Sequence, residues 1–444
     1  MRRVFSLFIR RNLIVAMIGL AVCALVGIWI DAFVYLAQLG LLTLAVLVCA
    51  DAIMLLGKGM HISARREMPS HFSNGDENFV HINLENLSEA TWAVTIIDEL
   101  PMQFQMRDIE FSATLRPGMP SIVRYAVRPT RRGVYAFGAL NVYVRTPLAL
   151  LERRVVFESG ANVSVYPSVI NMRRTELLAF SQQSVRYGMR RLRRLGHTME
   201  FEKIKQYVAG DDVRTMNWKA TARTAVHMVN MYQDERSQDI YSVLDLGRVM
   251  KMPFEGLTLL DYSINAALAF SNVVLKKHDR AGLITFGLKS GGCIVPADVR
   301  AGQIALLNEA LYGIQTGFAE SDDEALFSAV RRTARQRSLL MIYTNMESLN
   351  GMRRRLPLLR LLARQHVVVV VVFENTELKT LIDDHPKRLD GIYMRTIAAT
   401  FAMQKREIVA ELRRHGIYAV LTPPKDLSLA TVNIYLELKT RGVI

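Results

Sequence analysis

The chain has 444 residues, enough for two to four domains that each bury a core, and half of those residues are apolar. It carries 56 basic against 41 acidic side chains, a formal charge of +15, which suits an anionic lipid surface or a polyanionic partner without choosing between them. The three cysteines (Cys23, Cys49, Cys293) form no CxxC pair, which excludes a zinc ribbon or thioredoxin-type centre and speaks against a disulfide framework.

Residues 1–57 hold two apolar runs. The first covers residues 13–30. The second covers 32–50 and continues past Asp51 to Leu56. Each approaches the ~20 residues that a helix needs to cross the hydrocarbon core. The pattern reads as two spans with a tight turn near Asp31, rather than as a signal peptide or the buried hairpin of a soluble domain. Arg2, Arg3, Arg10 and Arg11 precede the first run, Lys58, Arg65 and Arg66 follow the second, and the loop between has no basic residue. The bias of basic residues toward the cytoplasmic side therefore predicts both flanks, and everything after residue 57, in the cytoplasm.

Residues 58–167 change to short alternating runs at 79–84, 92–97, 121–127, 134–144 and 162–166. They are separated by turn signals such as Asn74-Gly75 and Arg116-Pro117-Gly118. This punctuation predicts an antiparallel β-sandwich of immunoglobulin-like type, although no Cys-Trp-Cys spacing is present. Nothing in it looks catalytic.

Residues 168–236 hold a signature preceded by a basic connector, residues 171–205, densest at Arg190-Arg191-Leu192-Arg193-Arg194. Three readings stay open for the connector: a solvated loop, a dock for anionic headgroups, or a dock for an acidic protein. Nucleic acid is not expected, because no groove-reading motif or aromatic platform accompanies the charge. A compact signature follows, containing Gly210, Asp211, Asp212, Arg214, Asn217, Trp218, Lys219 and Arg223. Gly210 allows a turn, and Asp211 or Asp212 can cap a short helix. Arg214, Lys219 and Arg223 recur at helix-like spacings, and Trp218 can anchor the segment on a core. The alternatives are a capped helix held by internal ion pairs and a surface that recognises a partner. No nucleophile, base and orienting group are clustered there.

This signature resembles that of the bacterial "domain of unknown function 58" family. So do the run Arg131-Arg132-Gly133-Val134-Tyr135-Ala136-Phe137-Gly138, the run Arg145-Thr146-Pro147-Leu148, and Asp234-Glu235-Arg236. Asn217 departs from the family's Asp before Trp. The resemblance covers nearly the whole chain. It implies a multi-pass anchor in the bacterial inner membrane, a von Willebrand factor A-like (vWA-like) domain, and association with MoxR-type AAA+ ATPases that assemble or remodel other proteins.

Residues 237–444 alternate strands and helices. Strands are predicted at 239–246, 280–286, 338–344, 366–373 and 417–421, with an amphipathic helix at 257–277 and further helices at 302–311, 323–335, 352–364, 407–415 and 427–439. The six valines at 367–372 suit a central parallel strand. The pattern predicts an α/β fold with a doubly wound sheet, whose ligands sit beyond the carboxyl ends of the strands. The vWA resemblance implies an Asp-x-Ser-x-Ser metal-binding loop after the first strand, because a hard cation takes oxygen ligands. Here the loop reads Asp245-Leu246-Gly247-Arg248-Val249, Thr316 is a poor candidate for the Thr that a later loop is implied to supply, and Asn345 stands where a further Asp is implied. A metal-free crest is therefore expected, with Asp245 its remnant and Arg248 placed where the cation would lie. No cofactor is expected. The function that follows is a membrane-anchored scaffold or adaptor for partner proteins. Its rival is a metal-dependent or other hydrolase on the same sheet.

Overall fold

The computed structural model describes residues 6–57, 60–106, 109–157, 160–186, 200–208, 211, 213–233, 237–287, 292–383 and 388–444. The chain divides into two compact units, Met1–Tyr166 and Pro167–Ile444. The Arg190–Arg194 cluster, Gly210, Asp212 and Asp234-Glu235-Arg236 lie outside the described residues.

The first unit opens with β1 (Leu7–Ile9), α1 (Arg11–Val26) and α2 (Asp31–Leu56). Helix α2 is long and apolar enough to cross a membrane, whereas α1 is a shorter apolar helix of 16 residues. Ten strands follow: β2 (Ile62–Glu67), β3 (His71–Ser73), β4 (Asn78–Asn86), β5 (Trp92–Asp98), β6 (Glu110–Leu115), β7 (Pro120–Val127), β8 (Gly133–Phe137), β9 (Leu140–Arg145), β10 (Leu151–Phe157) and β11 (Ala161–Tyr166). They form sheets ordered β1-β10-β9-β5-β6, β2-β4-β7 and β3-β11-β8. Alternation puts Val80, Ile82 and Leu84 of β4 and Trp92, Val94 and Ile96 of β5 into one shared core. The pairing is antiparallel except between β3 and β11, which run parallel. The expected run 134–144 is split into β8 and β9 at Gly138, where the chain passes so close to Glu99 that a Cβ would lie 2.7 Å from that residue's Cβ.

Two of the family-like runs do structural work in this unit. In the first, Tyr135 donates its hydroxyl to the Arg131 carbonyl at 2.9 Å. The Phe137 ring lies 5.0 Å from the Arg66 guanidinium, and the Gly138 carbonyl accepts from that guanidinium at 3.1 Å. Arg66 is otherwise committed to Asp98, through Nε at 2.9 Å and through Nη2, and Tyr125 donates to the same carboxylate. In the second run, the Thr146 hydroxyl donates to Asp51 of α2.

The second unit contains α3 (Val169–Arg186), β12 (Glu200–Gln206), α4 (Trp218–Thr224), β13 (Met228–Gln233), β14 (Asp239–Asp245), β15 (Pro253–Phe254), β16 (Leu257–Thr258), α5 (Leu259–Lys276), β17 (Arg280–Phe286) and β18 (Ile294–Asp298). It continues with α6 (Gln303–Tyr312), α7 (Asp323–Thr333), β19 (Leu339–Tyr343), α8 (Leu349–Gln365), β20 (Val367–Phe373), α9 (Thr376–Asp383), α10 (Leu389–Arg414), β21 (Tyr418–Thr422) and α11 (Leu427–Thr440). The main sheet is ordered β18-β17-β14-β19-β20-β21, parallel except at its β18 edge. The valines of β20 are buried throughout, as a strand covered on both faces requires.

Three expectations need correction. The start of the basic connector is a helix, not a loop: α3 lies along α5, with Glu176 bonded to Asn272 and Lys276, and Asn171 to Ser428 of α11. Helix α5 is consequently buried along most of its length instead of amphipathic, because sheet and helices enclose it from opposite sides. The helix expected at 407–415 is only the end of α10. The first half of α10 shows Leu389, Tyr393 and Phe401 to solvent, at 83%, 72% and 50% exposure, so no core-facing period announces it.

Candidate functional site

The signature folds as a small module of its own. Strands β12 and β13 pair antiparallel, and α4 is set just before β13. The cap of α4 is Asn217, not Asp211: its side-chain oxygen accepts from the Ala220 N–H at 3.0 Å, and its amide donates to Asn230 at 2.8 Å. A neutral amide can make both bonds, which gives the departure from Asp at this position a local use. Asp211 closes the preceding turn instead. It takes Lys205 at 2.7 Å and the Val208 N–H at 3.0 Å, and the lysine bond foremost holds its carboxyl below the ordinary value. Arg214 belongs to a separate short turn, Val213–Thr215, so it does not continue the helix of Lys219 and Arg223.

Trp218 overturns the core-anchor reading. It is 68% exposed at the first turn of α4. Lys219 and Arg223, one turn apart on this short helix, are exposed as well. Two strands and a capped helix thus hold an indole and two cations toward solvent.

The second constellation is the crest of the main sheet, at the carboxyl end of β14. The Asp245 carboxylate is fully buried and satisfied from three loops. It accepts from the Gly247 N–H at 2.8 Å, the Ser321 hydroxyl at 2.6 Å and the Thr344 hydroxyl at 2.7 Å. The cation beside it is not Arg248. That side chain is 62% exposed and pairs with Glu320 at 3.3 Å. Arg355 of α8 takes the place instead: Nη1 reaches Asp245 at 3.4 Å and the Thr344 hydroxyl at 3.0 Å, and Nε reaches Asp323 at 3.2 Å. Burial raises the Asp323 carboxyl above its ordinary value, against the pull of Arg355. Asn345 is turned away from Asp245; it accepts from Lys405 and donates weakly to the Val249 carbonyl. Lys405, largely desolvated there, is pushed down to about 8.

Gly247 shows why the loop departs from Asp-x-Ser-x-Ser. A Cβ at this position would collide with the Ser321 hydroxyl, so the oxygen that the resemblance implies at residue 247 comes from another loop. That loop is tied to the first by its backbone, Gly317 to Leu246 at 3.1 Å and Arg248 to Ala319 at 2.9 Å. Its Phe318 is 81% exposed, with the Lys251 ammonium 3.4 Å from the ring centroid. Among the described residues, no group of three or more His, Cys, Asp or Glu could hold a metal ion. Chemically, the crest is a carboxylate neutralised within the chain and bordered by a displayed aromatic and cations.

Ser321, Asp323, Thr344, Arg355, Phe318 and Lys405 were not singled out from the sequence. Arg355 lies 110 positions from Asp245 in a run of three arginines that offers nothing to tell it apart. Ser321-Asp322 does carry a helix-start signal before α7, and could have marked that loop.

Residues 203–384 match the family described as "Protein of unknown function DUF58". The resemblance drawn from the signature is thereby borne out. Uncharacterized protein Rv1480 of Mycobacterium tuberculosis is 26% identical over 178 residues, 38% of this chain and 53% of that protein. Uncharacterized protein YeaD of Bacillus subtilis is 24% identical over 169 residues, 37% of this chain and 38% of that protein. The matches therefore span about half or less of these relatives. Among solved structures, the SpRpn10 VWA domain is similar at 11% identity and a TM-score of 0.30, over 45% of this chain and 95% of that one.

Proposed function

We propose that this DUF58 protein is a membrane-anchored adaptor that receives partner proteins on two displayed surfaces, the α4 face and the crest of the vWA-like sheet. The exposure of Trp218 carries the reading. A tryptophan held at 68% exposure on a capped helix forgoes the burial that usually keeps it in a fold, and Trp with flanking Arg is the composition of an interface anchor. The crest supports the same role, since Asp245 is occupied by donors of its own chain. A MoxR-type AAA+ ATPase is the partner that the family resemblance implies.

The anchor is part of the proposal. Two spans, α1 and α2, enter and leave the bilayer on the cytoplasmic face. This is supported by β1, immediately before α1, pairing with β10, while the end of α2 bonds to residues of the same β10 region. Both ends of the hairpin thus return to one sandwich.

A photo-crosslinking residue in place of Trp218, in the full chain in native membranes, tests the adaptor role. A discrete adduct with an AAA+ ATPase, weakened by Lys219→Glu and Arg223→Glu, is expected. Adducts that arise equally from an exposed position outside both surfaces, such as Met119, would overturn it.

A further inference from the structure

The foot of the helical hairpin sets the level of the bilayer on the first unit. Asp51 is fully buried, although it lies within the apolar helix α2. Its carboxylate accepts from the Leu150 N–H at 3.1 Å, the Leu151 N–H at 2.8 Å and the Thr146 hydroxyl. The Leu150 carbonyl in turn accepts from the Arg10 N–H at 3.1 Å, just before α1 begins. Leu150 is thus bonded both to α2 and to the residue that precedes α1. Beyond Asp51, Leu55 is fully buried in the sandwich core, and its carbonyl accepts from Arg153 at 2.6 Å. One face of the last turn of α2 packs into the sandwich through Leu55, while Ile53 and Met54 on the same turn are 71% and 45% exposed, so the outward-facing apolar stretch runs past Asp51 to Met54. From Asp31 to Asp51 the helix rises about 30 Å, the thickness of a hydrocarbon core.

That register brings specific side chains to headgroup level. Phe8 and Ile9 of β1 are 42% and 64% exposed, and Leu148, in the loop clamped by Asp51, is 44% exposed. Phe8 packs on Tyr143, with ring centroids 6.1 Å apart. Arg11 is exposed at the start of α1, and Arg10 is partly exposed beside Glu152 at 3.5 Å. Apolar and aromatic side chains mixed with arginines, at the point where helices leave a sandwich, match the chemistry of an anionic membrane interface.

We propose that Phe8, Ile9, Leu148, Arg10 and Arg11 form a collar that seats the sandwich on anionic phospholipid. This rests on the reading of α1 and α2 as the membrane anchor. The bilayer is the fitting occupant because the collar is continuous with the hairpin and its charge is opposite to that of acidic headgroups. The collar holds the sandwich against the surface instead of leaving it to swing on its anchor.

The test uses the full chain in nanodiscs of phosphatidylcholine, with or without phosphatidylglycerol, and single nitroxide labels at Ile9→Cys, Leu148→Cys and Leu42→Cys. Collision with oxygen is compared with collision with a water-soluble nickel chelate. With phosphatidylglycerol, Ile9 and Leu148 should show interfacial depth and Leu42 hydrocarbon depth. Replacing Arg10 and Arg11 by Gln should weaken preferential retention of phosphatidylglycerol roughly fivefold per arginine. If Leu42 sits in hydrocarbon while Ile9 and Leu148 collide freely with the chelate, the collar is overturned and the anchor stands. Shielding of both collar labels from both reagents, equal in the two lipid mixtures, means a protein contact and also overturns it. Free collision of the chelate with Leu42 removes the anchor itself.

Discussion

Each unit of this protein carries a buried carboxylate paired with an arginine, and the two pairs differ in what surrounds them. In the sandwich, the Arg66 and Asp98 side chains are 1% and 0% exposed, with Tyr125, Phe137 and the Gly138 carbonyl completing the shell. At the crest, Asp245 is as deeply buried, but Arg355 is 18% exposed and shared with Asp323. The sandwich pair is sealed between strands and answers to nothing outside. The crest pair sits where loops meet, with Phe318, Lys251 and Arg248 on the rim. The same two residue types thus serve as an internal strut in one place and as the floor of a displayed surface in the other.

Breaking each pair should separate these roles, and the sandwich should suffer most. Arg66→Ala leaves Asp98 buried without its cation, and loss of one partner of such a pair costs about 3–5 kcal/mol. The melting temperature of the first unit should fall accordingly; a fall no larger than that of an exposed substitution would erase the contrast.

Arg355→Ala should cost less, about 1–3 kcal/mol, because Asp245 keeps two hydroxyls and a backbone N–H as donors. The wild-type melting temperature should not respond to magnesium or calcium at millimolar concentration or to EDTA, since a guanidinium already lies beside Asp245. A rise with metal that Asp245→Ala abolishes would restore a cation at the crest.

Lys405 gives the crest a pH signature. Its folded pKa, about 8, lies below the ordinary 10.5, chiefly because burial disfavours its charge. Between those values the folded state holds fewer protons than the unfolded chain, so stability rises with pH across that window. Below pH 8 the full cost of the buried charge remains. Lys405→Met should therefore raise the melting temperature at pH 7, with the gain shrinking toward pH 10. A gain independent of pH would point to packing instead.

The smallest stability effect belongs to Trp218. Had it been a core anchor, truncation to Ala would cost about 3–5 kcal/mol. Being exposed, it should cost within about 0.5 kcal/mol. A large thermal loss in Trp218→Ala would return the residue to a structural role.

The order of elements in both units was largely legible in the sequence, because each period reports a face. Alternation in 79–84 and 92–97 marks sandwich strands, and six valines mark a strand covered on both sides. The apolar stretch of α2 and the family signature are equally local signals, and the absence of both serines after Asp245 could be read directly. Tertiary structure alone decided which side chains meet. Whether Trp218 is covered depends on neighbours that its own segment does not encode. Asp51 reads as an intruder in an apolar helix until the loop 146–151 supplies its donors. Arg248 is adjacent to the crest in sequence, yet Arg355, 110 positions from Asp245, occupies it. The reason is geometric. Periodicity fixes the face of an element on which a residue lies, but a charge cluster forms where the ends of several elements converge. That convergence is set by packing, to which each segment contributes only its own part.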